Sequence, residues 1–526
     1  MMRIPSSFLF AAVLFMSTLQ PVMAQDVRGY CGTTRATLDG ITDQLQERLA
    51  ELAANPADQR SGAITYVPVK FHIVNKNDGS GGVEVYRVLD MLCGLNEFYA
   101  DMDIQFYMKG GINSFNSSIA YDDPRSNAGS QVLAAKRFKA YMNIFLTNQT
   151  GEANVLGYYT NDAPNYNIDA IIIRRDQIKS GAETIEHEAG HYFSLLHPFN
   201  GWECEEWDAS IHGNPVNSNT APCNSLKPPY NNVLVEFADG SNSTNAGDFL
   251  SDTPADYNLG LGWPNCSYAG GCKDPKGVLL NPDEENIMGY FSFCTDYHFS
   301  DQQKAVAVAE MNVRKSLNPT NNRYINCNST PELAAPGPSA PFFPEMNGFS
   351  NGISNVTLEW TAGPGAESYI VRIDRLTSFG FQPRYYYTTE PEVTLDFTLS
   401  DGKIYYWQVW PYNEYNTCEN WGEIFQFTSG MSSSVESIEG LTGIKVMPNP
   451  ATSDQLIRVQ VVADRDLHLD MELVDLSGRP VFQLNQVQMQ AGNQFVELAG
   501  AQPSAGVYFL RIRGDEGVHT ERIVVQ

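Results

Sequence analysis

Three histidines and a glutamate, His187, Glu188, His191 and His197, sit close together in the segment HEAGHYFSLLHPF, residues 187–199. Imidazoles are the commonest nitrogen ligands of divalent metals, and a carboxylate beside them can move a proton. Positions 187 and 191 are four apart, which on an α-helix puts them about 40° round the axis and about one turn along it, so both rings leave the same face. Three neutral imidazoles on zinc leave a fourth position open to water, whose pKa then falls to about 7. Glu188, next to the first histidine, is the base placed to take that proton.

His197 can join the other two only if the helix ends first, because a residue six positions beyond His191 on an unbroken helix points away. The usual turning residue, at the third position after the second histidine, is a glycine in the left-handed conformation. Here it is Ser194. A non-glycine residue there costs roughly 1 kcal/mol, whereas a structural-grade zinc site returns ~10 kcal/mol or more. The metal therefore decides the conformation, and Pro198 stops the helix from continuing. A rival arrangement takes its third ligand from Glu203, Glu205 or Glu206, which lie in a loop without helical pattern.

A helix opening at Thr184 must present these groups, and the sequence before it supplies a frame. ITYVPVKFHIV from Ile64, DIQFYMK, YMNIFLTN and NIDAIIIRRD read as strands, while YRVLDMLCGLNEFYADM has helical spacing, so the domain is mixed α/β. A long irregular stretch follows, from Asn200 to about Pro282. Loops of that length are usually functional or tied down by crosslinks or metals. Beyond a turn-rich linker, short strands at regular spacing such as NVTLEW, ESYIVRID and KIYYWQVWPYN indicate a β-sandwich, with Trp360 and Tyr405 to Trp407 at core positions. A Ser/Gly linker then leads to further alternating strands.

The chain has 526 residues and a net charge of −27, with no basic run, which argues against a nucleic-acid partner. Arg3, the apolar run Phe8 to Met16 and the small-residue site ending at Ala24 read as a signal peptide, 1–24, too short for a membrane span. No other segment is apolar and long enough to cross a bilayer. Export puts the nine cysteines in an oxidising compartment, and the odd number leaves at least one thiol over.

The three-histidine, one-glutamate pattern resembles the metzincin clan of zinc endopeptidases, and NIMGY, Asn286 to Tyr290, resembles its Met-turn. LGYY, IDAIIIRRD, HEAGHYFSLLHPF, GDFLSDTPADYN and ENIMGYF occur in the order seen in the pappalysin family, over about Tyr66 to Ser316. The resemblance implies zinc on His187, His191 and His197, and Glu188 as general base in hydrolysis of internal peptide bonds of protein substrates. It places Met288 as an apolar floor beneath the ligands and Tyr290 near the substrate carbonyl. It also implies disulfides Cys204–Cys272 and Cys266–Cys294, and a calcium site at Asp248 and Thr253. An Asp and Thr capping a turn is the alternative there. Relatives that cut before Arg or Lys carry an acid between the Met-turn and the next cysteine. GYFSF up to Cys294 has none, and its two Phe point to a more apolar pocket.

Cys31 in RGYCGTT resembles the pro-segment cysteine that sits on zinc in related zymogens; the alternative is a disulfide, for instance with Cys93. The helical stretch up to about Ala63 has little to bury and reads as a pro-segment. VMPNPA, LVDLSGRPV, AGVYFLRI and ERIVVQ resemble the C-terminal sorting domain of the type IX secretion system, which implies passage through that machinery to the outside of a bacterium with an outer membrane. The stretch Pro341 to Thr428 resembles a fibronectin type III domain.

The expected organisation is a signal peptide (1–24), a pro-segment (25–63) and a mixed α+β metzincin-like catalytic domain (64–318). A linker (319–338), a fibronectin-like sandwich (339–430), a second linker (431–440) and a sorting domain (441–526) follow. The functional expectation is a secreted zinc endopeptidase made as a zymogen. The alternative is a catalytically inactive surface adhesin with a structural zinc, in which Glu188 has no task.

Overall fold

The computed structural model describes residues 30–54, 63–223, 233–261, 263, 265–327, 333–430, 438–501, 503–514 and 517–526. The expected signal peptide lies outside these residues, as do parts of the expected pro-segment and of both linkers. The chain forms two compact units, one of Met1–Ala334 with Glu414–Glu419 and one of Ala335–Asn413 with Asn420–Gln526.

The first unit is mixed α/β. It opens with β1 (Tyr30–Cys31), α1 (Arg35–Ala54), β2 (Thr65–Asn75) and α2 (Val85–Tyr99). Then come β3 (Ile104–Met108), β4 (Asn113–Asn116), α3 (Ser118–Asp122) and α4 (Asn127–Lys136). They are followed by β5 (Met142–Thr147), β6 (Val155–Asn161), β7 (Asp169–Arg174) and α5 (Thr184–Tyr192), and finally by α6 (Ala209–His212) and α7 (Asp301–Ser316). The strands make one sheet in the order β1-β6-β7-β5-β2-β3, with β4 also on β2. All neighbours are parallel except β6, which runs antiparallel to β7. The inner strands β2, β5 and β7 are covered on both faces, which is why they read as apolar runs rather than alternating ones.

Helix α7 is fixed at its start by a capping box between Ser300 and Gln303. Its Arg314, fully buried, pairs with Asp169 of β7 at 2.7 Å and donates to the Tyr192 carbonyl at the end of α5 at 2.9 Å. One guanidinium thus ties the sheet, the C-terminus of α5 and α7 together. A buried ion pair of this kind is costly to break from one side, because the remaining charge is stranded.

The expectation that the N-terminal helix has little to bury is corrected. Helix α1 buries Leu38, Ile41 and Leu45, but also Thr37, Asp39, Thr42, Gln44 and Arg48. It docks largely through polar contacts, among them Arg48 to Glu310 of α7 at 2.9 Å and Gln44 to Tyr166 at 3.0 Å. Apolar periodicity registers Leu38, Ile41 and Leu45 but not these polar contacts.

The cysteine pairing is corrected as well. Cys266 is bonded to Cys294, whereas Cys204 is bonded to Cys223 and not to Cys272. The insertion after Cys204 folds back so that the Cys223 amide donates to the Gly201 carbonyl at 2.9 Å, which puts its own sulfur beside Cys204. Cys272 is a buried thiol packed in a cluster with Trp202 and Tyr257. Cys93 is bonded to Cys418, which excludes the alternative pairing with Cys31. Cys418 lies in the Glu414–Glu419 segment of the first unit, where Tyr415 also stacks on Tyr107 with ring centroids 4.6 Å apart. Cys31, Cys272 and Cys327 remain free.

The second unit is all antiparallel β and contains two pairs of sheets. Between Pro341 and Thr428, a four-stranded and a three-stranded sheet enclose a core that includes Trp360, Val371 and Trp407. Between Leu441 and Val525, a three-stranded and a four-stranded sheet enclose Val459, Leu473 and Leu510. The buried indoles are core residues, and the alternation in these strands matches one covered and one exposed face. The architecture is thus a mixed α/β domain followed by all-β sheets in sandwich arrangement. Among the described residues no helix is long and apolar enough to cross a membrane.

Candidate metal centre

Helix α5 carries His187, Glu188 and His191 and ends at Tyr192. The turn then runs through Ser194, whose φ of 68° is left-handed. The Ser194 amide bonds back to the His191 carbonyl at 3.0 Å and that of Leu195 to Gly190, also at 3.0 Å. Ser194 also donates from its side chain to Gln44 of α1 at 2.8 Å. The chain therefore reverses at the residue where the histidine spacing demands it, and His197 comes back to the other two rings.

The donor atoms converge. One ligand atom each from Cys31, His187, His191 and His197 lie within 4.8 Å of one another. His187 and His191 have Nδ1 at 2.7 Å from the Ile287 carbonyl and 2.8 Å from the Leu195 carbonyl. A carbonyl only accepts, so each Nδ1 carries the proton and each Nε2 presents a lone pair. The Nε2 atoms of His191 and His197 face each other at 3.1 Å, and the buried Nε2 of His187 has no partner among the described residues. Burial holds His187 down at about 4 and lowers His191 and His197 well below the ordinary imidazole value, so the rings are neutral. Converging lone pairs on buried neutral rings are the electronic demand that a cation meets, and nitrogen and sulfur donors suit zinc.

Packing below the ligands is tight. Met288 is fully buried, and a Cβ on Gly190 of α5 would come within 2.5 Å of its sulfur. The helix must therefore have glycine there for Met288 to lie under it. The turn that presents Met288 is closed by the Asn286 side chain, which accepts from the Met288 amide at 3.1 Å and bonds Gln303 of α7 at 2.9 Å. Gly157 of β6 makes similar room above, since a Cβ there would meet Thr184 at 2.8 Å and the Glu188 side chain at 3.2 Å.

Glu188 is completely buried, and burial pushes it up to about 8. Its Oε2 lies 3.5 Å from the Cys31 sulfur and accepts from the Thr33 hydroxyl at 3.4 Å. The Tyr290 hydroxyl donates to the Cys31 backbone carbonyl at 3.2 Å. Strand β1 lies parallel along β6, held by Tyr30 to Asn154 at 2.7 Å and Gly32 to Gly157 at 2.9 Å. The Cys31 segment thus occupies the sheet edge, the open side of the histidine cluster, Glu188 and the Tyr290 hydroxyl at once.

Beside it is a cleft of about 100 Å³ lined by residues including His187, Glu188, Tyr290, Phe291, Tyr297 and Glu183. Phe291 is buried in this wall, but Phe293 is 79% exposed. The carboxyl of Glu183, raised to about 7 chiefly by burial, enters from the start of α5. Of the rival ligands, Glu203 is beside the ring of His197, with Oε1 3.7 Å from Nδ1, the nitrogen away from the converging donors. Glu205 lies 3.4 Å from His212 instead.

Asp248 and Thr253 are together, with the Thr253 hydroxyl donating to Asp248 Oδ1 at 2.8 Å. That is the turn-capping geometry. Asp248 Oδ2 and Glu236 Oε2, however, are buried and have no hydrogen-bond partner among the described residues. Burial raises both carboxyls, and the Asp248 and Asp256 charges raise Glu236 further. No local motif pointed to Glu236, which lies in the long loop well before Asp248.

Residues 445–526 match the family described as a secretion system C-terminal sorting domain. An extracellular metalloprotease of Colletotrichum graminicola is 30% identical over 207 residues, covering 36% of this chain and 73% of that protein. This chain belongs to the extracellular metalloproteases. An extracellular metalloprotease of Neurospora crassa is 29% identical over 216 residues, 37% of this chain and 73% of its own. A solved mutant of Tannerella forsythia promirolysin is 14% identical, with a TM-score of 0.33, over 56% of this chain and 95% of that one. With its sorting domain, this extracellular metalloprotease is a secreted or cell-surface protein, and the histidine cluster has donor atoms placed so that they could hold a metal ion.

Proposed function

We propose that the chain is a zinc-dependent endopeptidase, exported by the type IX route and held latent by its own N-terminal segment. The observation that carries this reading is the convergence of three neutral Nε2 donors and the Cys31 sulfur beside a buried glutamate. What zinc supplies in such a site is Lewis acidity, which lowers the pKa of water and polarises a carbonyl.

The chain's own groups do the rest. Glu188 takes the proton of the attacking water and hands it to the leaving amine. Gly157 of β6 leaves the room in which the Glu188 side chain lies. Tyr290 donates to the scissile carbonyl oxygen as negative charge develops there. In the present state that donor is taken by the Cys31 carbonyl, which supports latency. Once β1 leaves, the freed edge of β6 offers backbone donors and acceptors to an extended peptide laid across the site. With zinc bound, the Cys31 sulfur would serve as a thiolate ligand beside the three histidines and would keep water out.

The same reading gives Asp248, with Glu236, a bound calcium, supported by their two partnerless buried oxygens. Thr253 holds Asp248 in place. The Pro341–Thr428 sandwich is read as a fibronectin type III-like spacer. The test of the site is elemental analysis of the purified chain. One zinc per molecule, lost in His197→Ala, is the expected result; a zinc-free protein, or His197→Ala with full zinc content, would count against it.

A further inference from the structure

His197 has two ring nitrogens with different company. Nε2 faces the converging donors, so the neutral ring carries its proton on Nδ1. That Nδ1 is buried and without a hydrogen-bond partner among the described residues, and so is Glu203 Oε1, 3.7 Å away. Two buried groups, one a donor and one an acceptor, thus face each other just beyond bonding distance. The other oxygen of Glu203 is engaged: it accepts from the Gly201 amide at 2.9 Å and from Arg35 of α1 at 3.3 Å. Arg35 also holds Asn200 at 3.0 Å, and the Asn200 amide bonds the His197 carbonyl at 2.9 Å. The outgoing arm of the turn that carries His197 is therefore clamped by a residue of the N-terminal segment. The ring itself is braced against Phe199, stacked at 4.5 Å and 8°, so the freedom to close the gap belongs to Glu203.

We propose that Glu203 is a positioning residue for the third metal ligand, drawn off His197 by Arg35 in the latent chain and closing onto Nδ1 when the N-terminal segment leaves. A carboxylate accepting from the far nitrogen of a ligating histidine fixes its tautomer and strengthens it as a donor, and such partners are worth about 10- to 100-fold in metal affinity. Release of the segment thereby does two things, exposing the fourth position and tightening the third ligand. The inference rests on the zinc reading of the site and goes beyond the role of Cys31.

The test uses the full chain in a Cys31→Ser, Glu188→Ala background, which removes the thiol donor and prevents self-digestion. Zinc affinity is measured by competition with a chromophoric chelator, and the cobalt(II) spectrum reports the ligand field. Arg35→Met should bind zinc about tenfold more tightly and alter the cobalt spectrum. Glu203→Gln added to Arg35→Met should abolish the gain, and Glu203→Asp should restore part of it. Equal affinities with and without Arg35, or a gain that survives Glu203→Gln, would overturn the proposal. His197→Ala in the same background separates the two levels. If it binds zinc as tightly as its parent, the zinc reading fails. If it loses zinc while Arg35→Met does nothing, only the role of Glu203 fails.

Discussion

Ser194 Oγ donates a 2.8 Å hydrogen bond to Gln44 Oε1 from a backbone in the left-handed region, with φ of 68°. Serine at this turn is thus both a strained residue and a contact to the N-terminal helix. Glycine would relieve roughly 1 kcal/mol of strain and forfeit a hydrogen bond worth about as much. Ser194→Gly should leave the melting temperature of the full chain nearly unchanged but raise that of the chain after removal of α1. Equal shifts in both forms would mean that the contact to Gln44 contributes nothing.

Cys31 fills the open side of the histidine cluster and its carbonyl takes the Tyr290 donor. Cys31→Ala should release activity in the uncut chain, seen as protein-substrate cleavage or self-digestion immediately after purification. An unchanged, latent Cys31→Ala precursor would show that backbone contacts alone impose latency.

Met288 and Gly190 are packed so that a single methyl does not fit between them. Gly190→Ala should destabilise the first unit by about 1–3 kcal/mol in chemical denaturation. Met288→Ala should itself cost about 2–5 kcal/mol, and the double variant should lose less than the sum of the two single costs, because the shortened side chain removes the sulfur the new methyl meets. Strictly additive costs would contradict direct contact as the cause.

Arg314 and Asp169 form a fully buried pair that joins α7 to the sheet beneath α5. Asp169→Asn should cost about 1.5–3 kcal/mol, the worth of hydrogen bonds to a charged group, because Arg314 keeps its second buried partner, Glu310, at 2.9 Å. Urea unfolding of wild type and variant gives the difference directly.

Glu236 and Asp248 have folded-state pKa values raised above their unfolded ones. Without a cation, their contribution is fully present below the ordinary carboxylate range and is lost as pH rises through the folded values. Calcium should cancel that loss, so thermal melts at neutral pH should rise on calcium addition and the gain should vanish in Asp248→Asn. A melt indifferent to calcium would leave the turn-capping role alone.

The convergence of the three histidines was legible because it is written locally. Four-residue spacing puts His187 and His191 on one face, Pro198 bars the helix from continuing past His197, and a short turn delivers Met288. What long-range packing decides was not. Besides Leu38, Ile41 and Leu45, α1 is held by Gln44, Arg35 and Arg48, polar residues whose partners are Ser194, Glu203 and Glu310. Cys223 became the partner of Cys204 only because an insertion folds back on Gly201. Glu183 enters the cleft from the start of the helix, not from the stretch between the Met-turn and Cys294 where the resemblance places an acid. Glu203 was visible as a candidate ligand, but which nitrogen of His197 it meets depends on the turn.

The most direct test of the account is turnover of a protein substrate by the processed chain, wild type against Glu188→Ala, with zinc content measured in both. Glu188→Ala should keep its zinc and lose cleavage by several orders of magnitude. Equal turnover by the two proteins at equal zinc content would contradict it.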